Sequence, residues 1–476
     1  MWTDTVESTT YQHAVDALLA LCGAGHARAV AELPLELPGG VRPGDIAALG
    51  TSGTTAWLDG GHESKQLIAL STVGEVSWTD GTLSFSLGDG HVDLVLPPFD
   101  ALDAALEVLA TRMPTTRLFG YLGYDLGASI EDFVDVPAAD QDLPGYWFAL
   151  VDVWAEGTKR ADGSVAWCVR GADDKLAEVA ATLMRQVVTA ESRDEDAVEQ
   201  QAKPEVRSQP DEPGYEAAVA RTVLRIHAGD FFEANICRRL EVPWVGPPRQ
   251  LYDRMRAASP GSHGAFLQSP DWTILSVSPE VFLRVRGSEV VTQPIKGTRP
   301  RHGDAATDAA HVADLLASEK DGAELAMIVD LARNDLGRVC RPGSVQVTEH
   351  RAHLALPTVH HTYSSVRGEL EDGTATGGLL RASFPPGSIT GAPKIEAIRA
   401  AYAEEPRRRG VAMGSIGWID PSGDLELSVA IRTATVAGGI ATYHAGCGIV
   451  ADSVPSDELD ETKAKALPFV RAVSGD

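Results

Sequence analysis

Apolar and polar positions in the first 190 residues mix helical and strand spacing. Three stretches have apolar residues on one helical stripe and predict helices: Ala14 to Val30, Ala101 to Arg112 and Asp173 to Ala190. A polar segment from Glu191 to Pro213 follows, rich in Glu, Asp, Gln and Pro, and its few apolar residues predict an exposed connection. We therefore divide the chain into an N-terminal region (1–190), an acidic polar linker (191–213) and a C-terminal region (214–476).

The C-terminal region carries denser helix and strand signals, many with their own stop residues. The main predicted elements are a helix over Tyr215 to Ala228 closed by Gly229, a hairpin over Thr273 to Ile295 turning at Arg286-Gly287-Ser288, a buried helix or strand over Leu325 to Leu331, a strand meander over Trp418 to Val450, and a helix over Asp457 to Val473 followed by Gly475. Helices and strands are interspersed without a clean alternating repeat. This order favours an α+β layered fold over a doubly wound sheet.

Composition narrows the class of protein. The 476 residues are 44% hydrophobic and 23% charged, as in ordinary globular proteins, and no apolar run approaches the roughly 20 residues of a membrane span. The N-terminus, Met1 to Asp4, lacks the pattern of a secretory signal, and five scattered cysteines form no disulfide framework, so we expect a cytoplasmic protein. The net charge of −26 argues against nucleic-acid binding.

One candidate site is a cationic loop directly after a predicted strand, Pro294 to Arg301. Lys296, Arg299 and Arg301 lie within six residues, and the Pro and Gly positions favour an irregular backbone. Such focused positive charge suits an anionic substrate, although a solvated basic turn has the same composition. Lys296 alone could act as a nucleophile, because desolvation beside other cations lowers the pKa of a lysine.

Carboxylates form a second candidate. Asp321 and Glu324 are three residues apart, as are Glu458 and Glu461, so each pair shares one helix face. Two such faces brought together would form an oxygen-rich site for a hard cation. The alternative is that acidic residues in first helical turns simply complement the helix macrodipole.

Two further segments are rich in small residues. Pro386 to Lys394 is a turn leading into a helix that begins near Pro393, and its backbone N–H groups could hold an anion or merely start the helix. Ala445 to Val450 has glycines that let a ligand approach the backbone, and we interpret Cys447 between them as a small packed residue. No P-loop, dinucleotide fingerprint or zinc ligand set is present.

These segments together resemble the chorismate-binding family, which includes the large subunits of anthranilate and aminodeoxychorismate synthases and the isochorismate and salicylate synthases. The resemblance covers roughly residues 213 to 470 and, more loosely, the N-terminal region. The matching blocks, in the family's order, are Gly229-Asp230-Phe231-Phe232-Glu233-Ala234-Asn235, Ser278-Pro279-Glu280, the Lys296 loop, Met327 to Leu336, the Thr390 turn, Ala430-Ile431-Arg432-Thr433-Ala434, and the Gly446 and Glu461 blocks.

The resemblance implies a two-part sandwich of orthogonally packed antiparallel sheets flanked by helices, like anthranilate synthase component I. It also implies a Mg²⁺ site, with Glu324 and Glu461 as ligands and Asp321 and Glu458 supporting them. Residues that match the family's substrate-binding groups are Arg432, Lys465, Thr298 and the backbone around Gly446 and Gly448. Residues that match its catalytic positions are Lys296, Glu280, His361 and Thr390.

Lys296 indicates which reaction within the family to expect. Members that add ammonia or water at C2 of chorismate resemble one another in carrying alanine here, whereas aminodeoxychorismate synthases carry lysine. The resemblance therefore implies a transferase that forms 4-amino-4-deoxychorismate for para-aminobenzoate or folate synthesis through a Lys296 adduct, with Glu280 as general acid or base. Anthranilate synthase component I or another chorismate-converting enzyme is the alternative. A catalytically inactive homologue is a further one, and Ala412, where the family often has tyrosine, is the feature that favours it.

The source of ammonia should lie outside this chain. The sequence contains no Gly-x-Cys-x-Gly elbow followed by a His-x-Glu pair, which a glutaminase would need. We therefore expect a separate glutamine amidotransferase subunit as partner. A second departure from the family concerns its Pro-x-Pro-Tyr segment, which contacts the tryptophan inhibitor in anthranilate synthases and which is Pro260-Gly261-Ser262-His263 here. Inhibition by tryptophan is therefore not expected.

Overall fold

The computed structural model describes residues 8–23, 30–35, 54–60, 65–131, 136–160, 164–172, 178–180, 182 and 204–475. Three sequence predictions fall wholly or partly outside these residues: the end of the first helix, most of the helix predicted over Asp173 to Ala190, and residues 191–203 of the linker. The far end of that linker includes a short strand, Arg207–Gln209.

The helices lie between and after the strands, without a repeating unit. In chain order they are α1 (Ser8–Cys22), α2 (Pro98–Arg112), α3 (Glu212–Ala228), α4 (Pro248–Ala258), α5 (Ala305–Ala317), α6 (Glu319–Gly337), α7 (Thr376–Ser383), α8 (Lys394–Glu404) and α9 (Pro455–Ser474). Short 3₁₀ helices occupy Tyr124–Ser129 and Gly387–Ile389.

The strands before α3 are β1 (Ala31–Leu35), β2 (Thr55–Gly60), β3 (Lys65–Thr79), β4 (Thr82–Leu87), β5 (Gly90–Val95), β6 (Arg117–Leu122), β7 (Tyr146–Lys159), β8 (Val165–Gly171) and β9 (Arg207–Gln209). Those after it are β10 (Glu233–Pro243), β11 (His263–Gln268), β12 (Trp272–Ser278), β13 (Val281–Arg286), β14 (Glu289–Gln293), β15 (Ile295–Pro300), β16 (Gln346–Ala355), β17 (Val359–Glu369), β18 (Gly391–Ala392), β19 (Ser415–Ile419), β20 (Leu425–Val429), β21 (Thr433–Ala437) and β22 (Ile440–Ile449).

Two antiparallel sheets share the long strands β3 and β7. In the first sheet, the first half of β3 pairs with the second half of β7. From β3 this sheet continues through β2, β11, β12, β21, β22 and β10, and from β7 it continues through β8 and β1. In the second sheet, the second half of β3 pairs with the first half of β7. From β7 this sheet continues through β6, β19, β20, β13, β14 and β17, and from β3 it continues through β4 and β5. Register shifts between Ala69 and Gly74 mark the place where β3 passes from one sheet to the other.

Aromatic side chains fill the space between the two sheets. One core cluster combines β2, β3, β11 and β12 of the first sheet with β6, β7 and β19 of the second, and its large members include Trp147, Trp154, Trp272 and Trp418. Helices cover the outer faces: α4 and α9 pack on the first sheet, and α1, α2, α6 and α7 pack on the second. The layered arrangement confirms the predicted α+β class.

Capping residues and glycines that the sequence shows define several helix ends. Asp211 caps α3 by accepting a hydrogen bond from the Gly214 amide at 2.9 Å, and α3 ends at Gly229, whose φ of 89° is left-handed. Helix α9 ends in the same way at Gly475, with a φ of 74°. The helix predicted over Tyr215 to Ala228 and the one over Asp457 to Val473 are therefore confirmed.

Within the part of the chain that the structure describes, no helix combines the length and the apolar composition that crossing a lipid bilayer requires.

Candidate active site

The candidate site lies where β10, β15, β17 and β22 meet the first turns of α6 and α9. Strand β17 pairs with β15, so that His361 lies opposite Thr298, and β22 pairs with β10, so that Gly448 lies opposite Asn235. Ser318 caps α6 by accepting a hydrogen bond from the Asp321 amide at 3.2 Å, which places the acidic first turn of that helix beside β15. Residues from distant parts of the sequence therefore share one site.

Lys296 forms a buried ion pair that the sequence did not indicate. Its ammonium donates a hydrogen bond to Glu233 Oε1 at 2.6 Å, and the two side chains are 12% and 1% exposed. Burial lowers the pKa of Lys296, but the carboxylates of Glu233 and Glu324 more than offset this effect, so the pKa lies above its ordinary value. Lys296 is therefore an ammonium at neutral pH, and the lowered pKa expected from neighbouring cations is wrong, because the nearest charged partner is a carboxylate.

Glycine at position 448 makes room for this pair. A Cβ atom there would come within 2.2 Å of Glu233 Oε1 and 3.2 Å of Lys296 Nζ. At Gly446, two residues earlier on β22, a Cβ atom would meet Cys237 Sγ at 2.5 Å. Gly448 therefore brings the β22 backbone close to the Lys296–Glu233 pair, and Gly446 brings it close to β10.

Glu280 is a buried carboxyl group beside the same loop. Ser388 Oγ donates a hydrogen bond to Glu280 Oε1 at 2.5 Å, and burial raises the pKa of Glu280 to about 7 despite the lowering influence of Ser388, Lys296 and Arg432. A carboxyl group with this pKa exists in both protonation states near neutral pH. Glu280 can therefore donate or accept a proton in the site.

His361 is held neutral between β15 and Arg432. Its Nδ1 lies 3.0 Å from the Gly297 carbonyl oxygen, which can only accept, so Nδ1 carries the proton and Nε2 accepts from Arg432 Nη2 at 3.3 Å. Burial, and then the Arg432 charge, lower the pKa of His361 to about 4. Thr298 Oγ1 is also within 3.0 Å of Nδ1. The ring thus links the cationic loop to Arg432.

Arg432 and Lys465 bring positive charge to the site of a strongly acidic protein. Arg432 adopts a left-handed φ of 51°, which is uncommon for a residue with a side chain, and its Nη1 donates to Ser259 Oγ at 3.0 Å. The Lys465 ammonium donates to the Gly446 carbonyl oxygen at 2.9 Å and lies 2.7 Å from Glu461 Oε1. With Lys296, these two cations provide the local focus that an anionic ligand needs.

The carboxylates from α6 and α9 approach the site from two sides. Ligand atoms of Cys447, Glu458 and Glu461 lie within 4.8 Å of one another. Glu324 is 18% exposed, and its pKa is raised by burial and by the nearby Glu233 charge. Lys320 lies 4.0 Å from Glu324, and its charge also lowers the pKa of Glu461. Glu324 is not part of the cluster of ligand atoms within 4.8 Å of one another, so the structure does not bring the two predicted metal ligands together at that spacing.

The donors present fit a hard divalent cation. Glu324, Glu458 and Glu461 offer carboxylate oxygens, which Mg²⁺ prefers. Burial raises the pKa of the Cys447 thiol, so this sulfur is protonated in the absence of a metal ion. Carboxylate donors of this kind suit a hard cation, and Mg²⁺ binding here stays a prediction.

Two residues predicted to act in the site, Asp321 and Thr390, have hydrogen-bond or ion-pair partners outside the predicted metal and substrate positions. Asp321 Oδ2 lies 3.2 Å from Arg299 Nη2, so its carboxylate is directed to the cationic loop. Thr390 is fully buried, and its hydroxyl donates to the Pro386 carbonyl oxygen at 2.8 Å. In this arrangement Thr390 supports the turn below the site, and its own carbonyl accepts from the Asn235 amide at 2.9 Å.

Glu233 and Ser388 were given no role by sequence reasoning. A signal for Glu233 existed: it is a single carboxylate at the start of a strand with the apolar residues Ala234 and Ile236, and a charge in such a position needs a partner. Ser388 belongs to the Gly/Pro/Ser/Thr turn, where serine is common for reasons of backbone geometry alone. Only the fold reveals its contact with Glu280.

Comparison with known proteins agrees with this geometry. A family model described as chorismate binding enzyme matches residues 55–471. The chain belongs to the chorismate binding enzyme family. Among curated relatives of this family, the aminodeoxychorismate synthase component 1 of Bacillus subtilis is 36% identical over 361 residues, which cover 74% of this chain and 76% of the relative. An anthranilate synthase component 1 of Haloarcula marismortui is 35% identical over 365 residues, covering 75% and 72%.

Solved structures of family members have the same fold. Anthranilate synthase component I from Streptococcus pneumoniae superposes with a TM-score of 0.72 at 28% identity, covering 86% of this chain and 92% of that one. The menaquinone-specific isochorismate synthase MenF from Escherichia coli superposes with a TM-score of 0.71 over 98% of this chain and 100% of its own, and at 17% identity it supports the fold alone. The recognition made from the ordered sequence blocks is thereby confirmed.

Proposed function

We propose that this chain is component I of an aminodeoxychorismate synthase, which converts chorismate and ammonia to 4-amino-4-deoxychorismate. The observation that carries the proposal is the buried side-chain nitrogen of Lys296 beside Gly448. The Lys296 charge lowers the pKa of Glu280, and the Glu324 charge raises the pKa of Lys296. Relatives named for amination at two different ring positions are almost equally similar to this chain, so overall identity does not decide between them. Lys296 supports the proposal, because a nucleophilic amine in the site has a task in the two-step reaction.

Two displacements account for the product. In the first, the Lys296 amine forms a bond to C2, the two ring double bonds shift, and the C4 hydroxyl leaves as water with a proton from Glu280. In the second, ammonia forms a bond to C4, the double bonds shift back, and the C2–N bond to Lys296 breaks. The extra proton on the new amine passes to the Glu280 carboxylate. The net change is the replacement of the C4 hydroxyl by an amino group, with water released.

The other residues bind and orient the substrate. Arg432, Lys465 and the backbone at Gly446 and Gly448 hold the two carboxylates of chorismate, and neutral His361 fixes the Arg432 guanidinium at Nε2. Glu324, Glu461 and Glu458 would hold Mg²⁺, which neutralises the charge of a substrate carboxylate when it is bound. Ammonia comes from a separate glutamine amidotransferase subunit, and the pathway is that of para-aminobenzoate.

The identity of the product tests the function. We expect the purified chain, incubated with chorismate, Mg²⁺ and ammonium, to form 4-amino-4-deoxychorismate, identified by chromatography and mass spectrometry. Glutamine in place of ammonium should give no turnover until an amidotransferase subunit is added. Formation of fluorescent ortho-aminobenzoate would instead assign the chain to anthranilate synthesis, and no conversion under any of these conditions would identify an inactive homologue.

The Glu280 pKa predicts the alkaline limb of the pH profile. A carboxyl group whose pKa is raised from 4.5 to about 7 keeps its proton up to about pH 7 and loses it as the pH rises further. With the concentration of free NH₃ held constant, we expect kcat to fall about tenfold per pH unit above about pH 7. Glu280→Gln has no transferable proton, and kcat should fall at least about 10²-fold and lose that limb. A wild-type kcat that still rises at pH 8.5 would contradict the assignment.

A further inference from the structure

Glu233 has the geometry of a group that exchanges a proton with Lys296. Its Oε1 accepts the Lys296 hydrogen bond at 2.6 Å, and among the described residues this is the hydrogen bond that the Lys296 ammonium makes. The other oxygen, Oε2, is buried and has no hydrogen-bond partner within the described part of the chain. The absent side chain at Gly448 leaves the space that Oε1 occupies. The carboxylate is thus directed at Nζ with one oxygen still free to bind a proton.

The proposed chemistry requires such an acceptor. An ammonium has no lone pair, so Lys296 must lose a proton before its nitrogen can bond to C2. Lys296 and Glu233 are both buried, and moving the proton from one to the other replaces two desolvated charges by two neutral groups. Glu324, the next carboxylate in electrostatic reach of Lys296, is assigned to the cation site.

We propose that Glu233 is a catalytic residue that takes the proton from the Lys296 ammonium before attack at C2 and returns it when the lysine is released. The inference rests on the proposed function. In the first step the proton moves from Nζ to Glu233, and the freed nitrogen pair forms the N–C2 bond. In the second step the C2–N electron pair returns to the lysine, and the Glu233 carboxylic acid protonates the amine. No proton is gained or lost by the pair over a full cycle.

The decisive variant is Glu233→Gln, which keeps the shape of the side chain and cannot accept the proton. We expect kcat for 4-amino-4-deoxychorismate to fall at least about 10²-fold, with the KM for chorismate within a few fold. Glu233→Asp keeps a carboxylate and should recover part of the loss. The matched control is Glu426→Gln, which removes another buried carboxylate, paired with Arg286 at 2.7 Å outside the site, and should leave kcat unchanged.

A carboxylate that only anchors the ammonium predicts the opposite result. Without Glu233 the pKa of Lys296 falls, so more of the lysine is a neutral amine at pH 7 and the rate should stay constant or rise. Either outcome for Glu233→Gln, with chorismate binding and the melting temperature retained, would overturn the inference while leaving the proposed function intact. If the wild-type chain forms no 4-amino-4-deoxychorismate, or if Lys296→Ala forms it at the full rate, the proposed function fails and the role of Glu233 fails with it.

Discussion

Lys296→Ala is expected to reduce the formation of 4-amino-4-deoxychorismate at least about 10³-fold, because the first displacement loses its nucleophile. Alanine also removes the partner of Glu233, and a buried unpaired carboxylate lowers the stability of the fold. The measurement therefore compares kcat per folded molecule, with folding checked by thermal melting. Undiminished turnover with free ammonia would contradict the covalent role of this residue.

Lys394 is a matched control for the loss of a buried lysine. Its side chain is 13% exposed, close to the 12% of Lys296, and its ammonium lies 2.8 Å from Asp335 Oδ2. Lys394→Met should lower the melting temperature in a similar way but retain kcat per folded molecule.

The covalent adduct can be sought directly by mass spectrometry. In wild-type protein incubated with chorismate in the absence of ammonia and then quenched, we expect chorismate, less one water, attached to the peptide that contains Lys296. Attachment to another residue would reassign the nucleophile.

The parts of the fold that the sequence predicted are those set by short-range signals. The hairpin turn at Gly287, with its φ of 58°, and the ends of α3 and α9 at Gly229 and Gly475 depend on a glycine at a single position. Long-range pairing has no such local signal. Nothing in the alternation of β3 indicates that its two halves belong to different sheets, because the register shifts near Ser71 arise only when β7 pairs with it.

The candidate site shows the same division. The family resemblance placed Lys296, Glu280, His361 and Arg432 in the site, and in the structure the charges of these side chains influence one another. The side chains that contact Lys296 and Glu280 could not be inferred from the sequence. The ion pair of Lys296 with Glu233 joins residues 63 positions apart, and the contact of Ser388 with Glu280 joins residues 108 positions apart. The first contact joins β15 to β10, and the second joins the 3₁₀ helix Gly387–Ile389 to the residue before β13, so neither has a local signal in the sequence.

The negative net charge of the chain is compatible with an anionic substrate because cationic side chains meet at the site. A net charge of −26 repels a dianionic substrate at long range, yet Lys296 in β15, Arg432 directly before β21 and Lys465 in α9 bring positive charge to one site. Screening at physiological salt limits the repulsion from distant surface charges to about 8 Å, while contacts inside the site are screened much less. Under the proposed function we therefore expect the local arrangement to control affinity, and a cation to neutralise the carboxylates of α6 and α9 when chorismate binds beside them.

Removal of that cation is expected to abolish turnover. A chelator should eliminate product formation, and Mg²⁺ added in excess should restore it, because Glu324 and Glu461 would otherwise repel the substrate carboxylate. Glu324→Gln and Glu461→Gln each remove one charged ligand. By isothermal titration calorimetry, we expect Mg²⁺ affinity to fall by more than the roughly 10- to 100-fold that is typical of losing a residue outside the coordination sphere.

Two further variants make the comparison specific. Asp321 faces Arg299 in this fold, so Asp321→Asn should weaken Mg²⁺ binding less than either ligand variant does. Glu404→Gln removes a carboxylate that is 7% exposed and pairs with Arg221 of α3, outside the site, and it should leave the Mg²⁺ affinity unchanged. Equal losses for Asp321→Asn and Glu461→Gln would mean that the cation sits nearer α6 than the structure implies. Full Mg²⁺ affinity in both ligand variants would remove these carboxylates from the site, because a hard cation is not held without its charged oxygens.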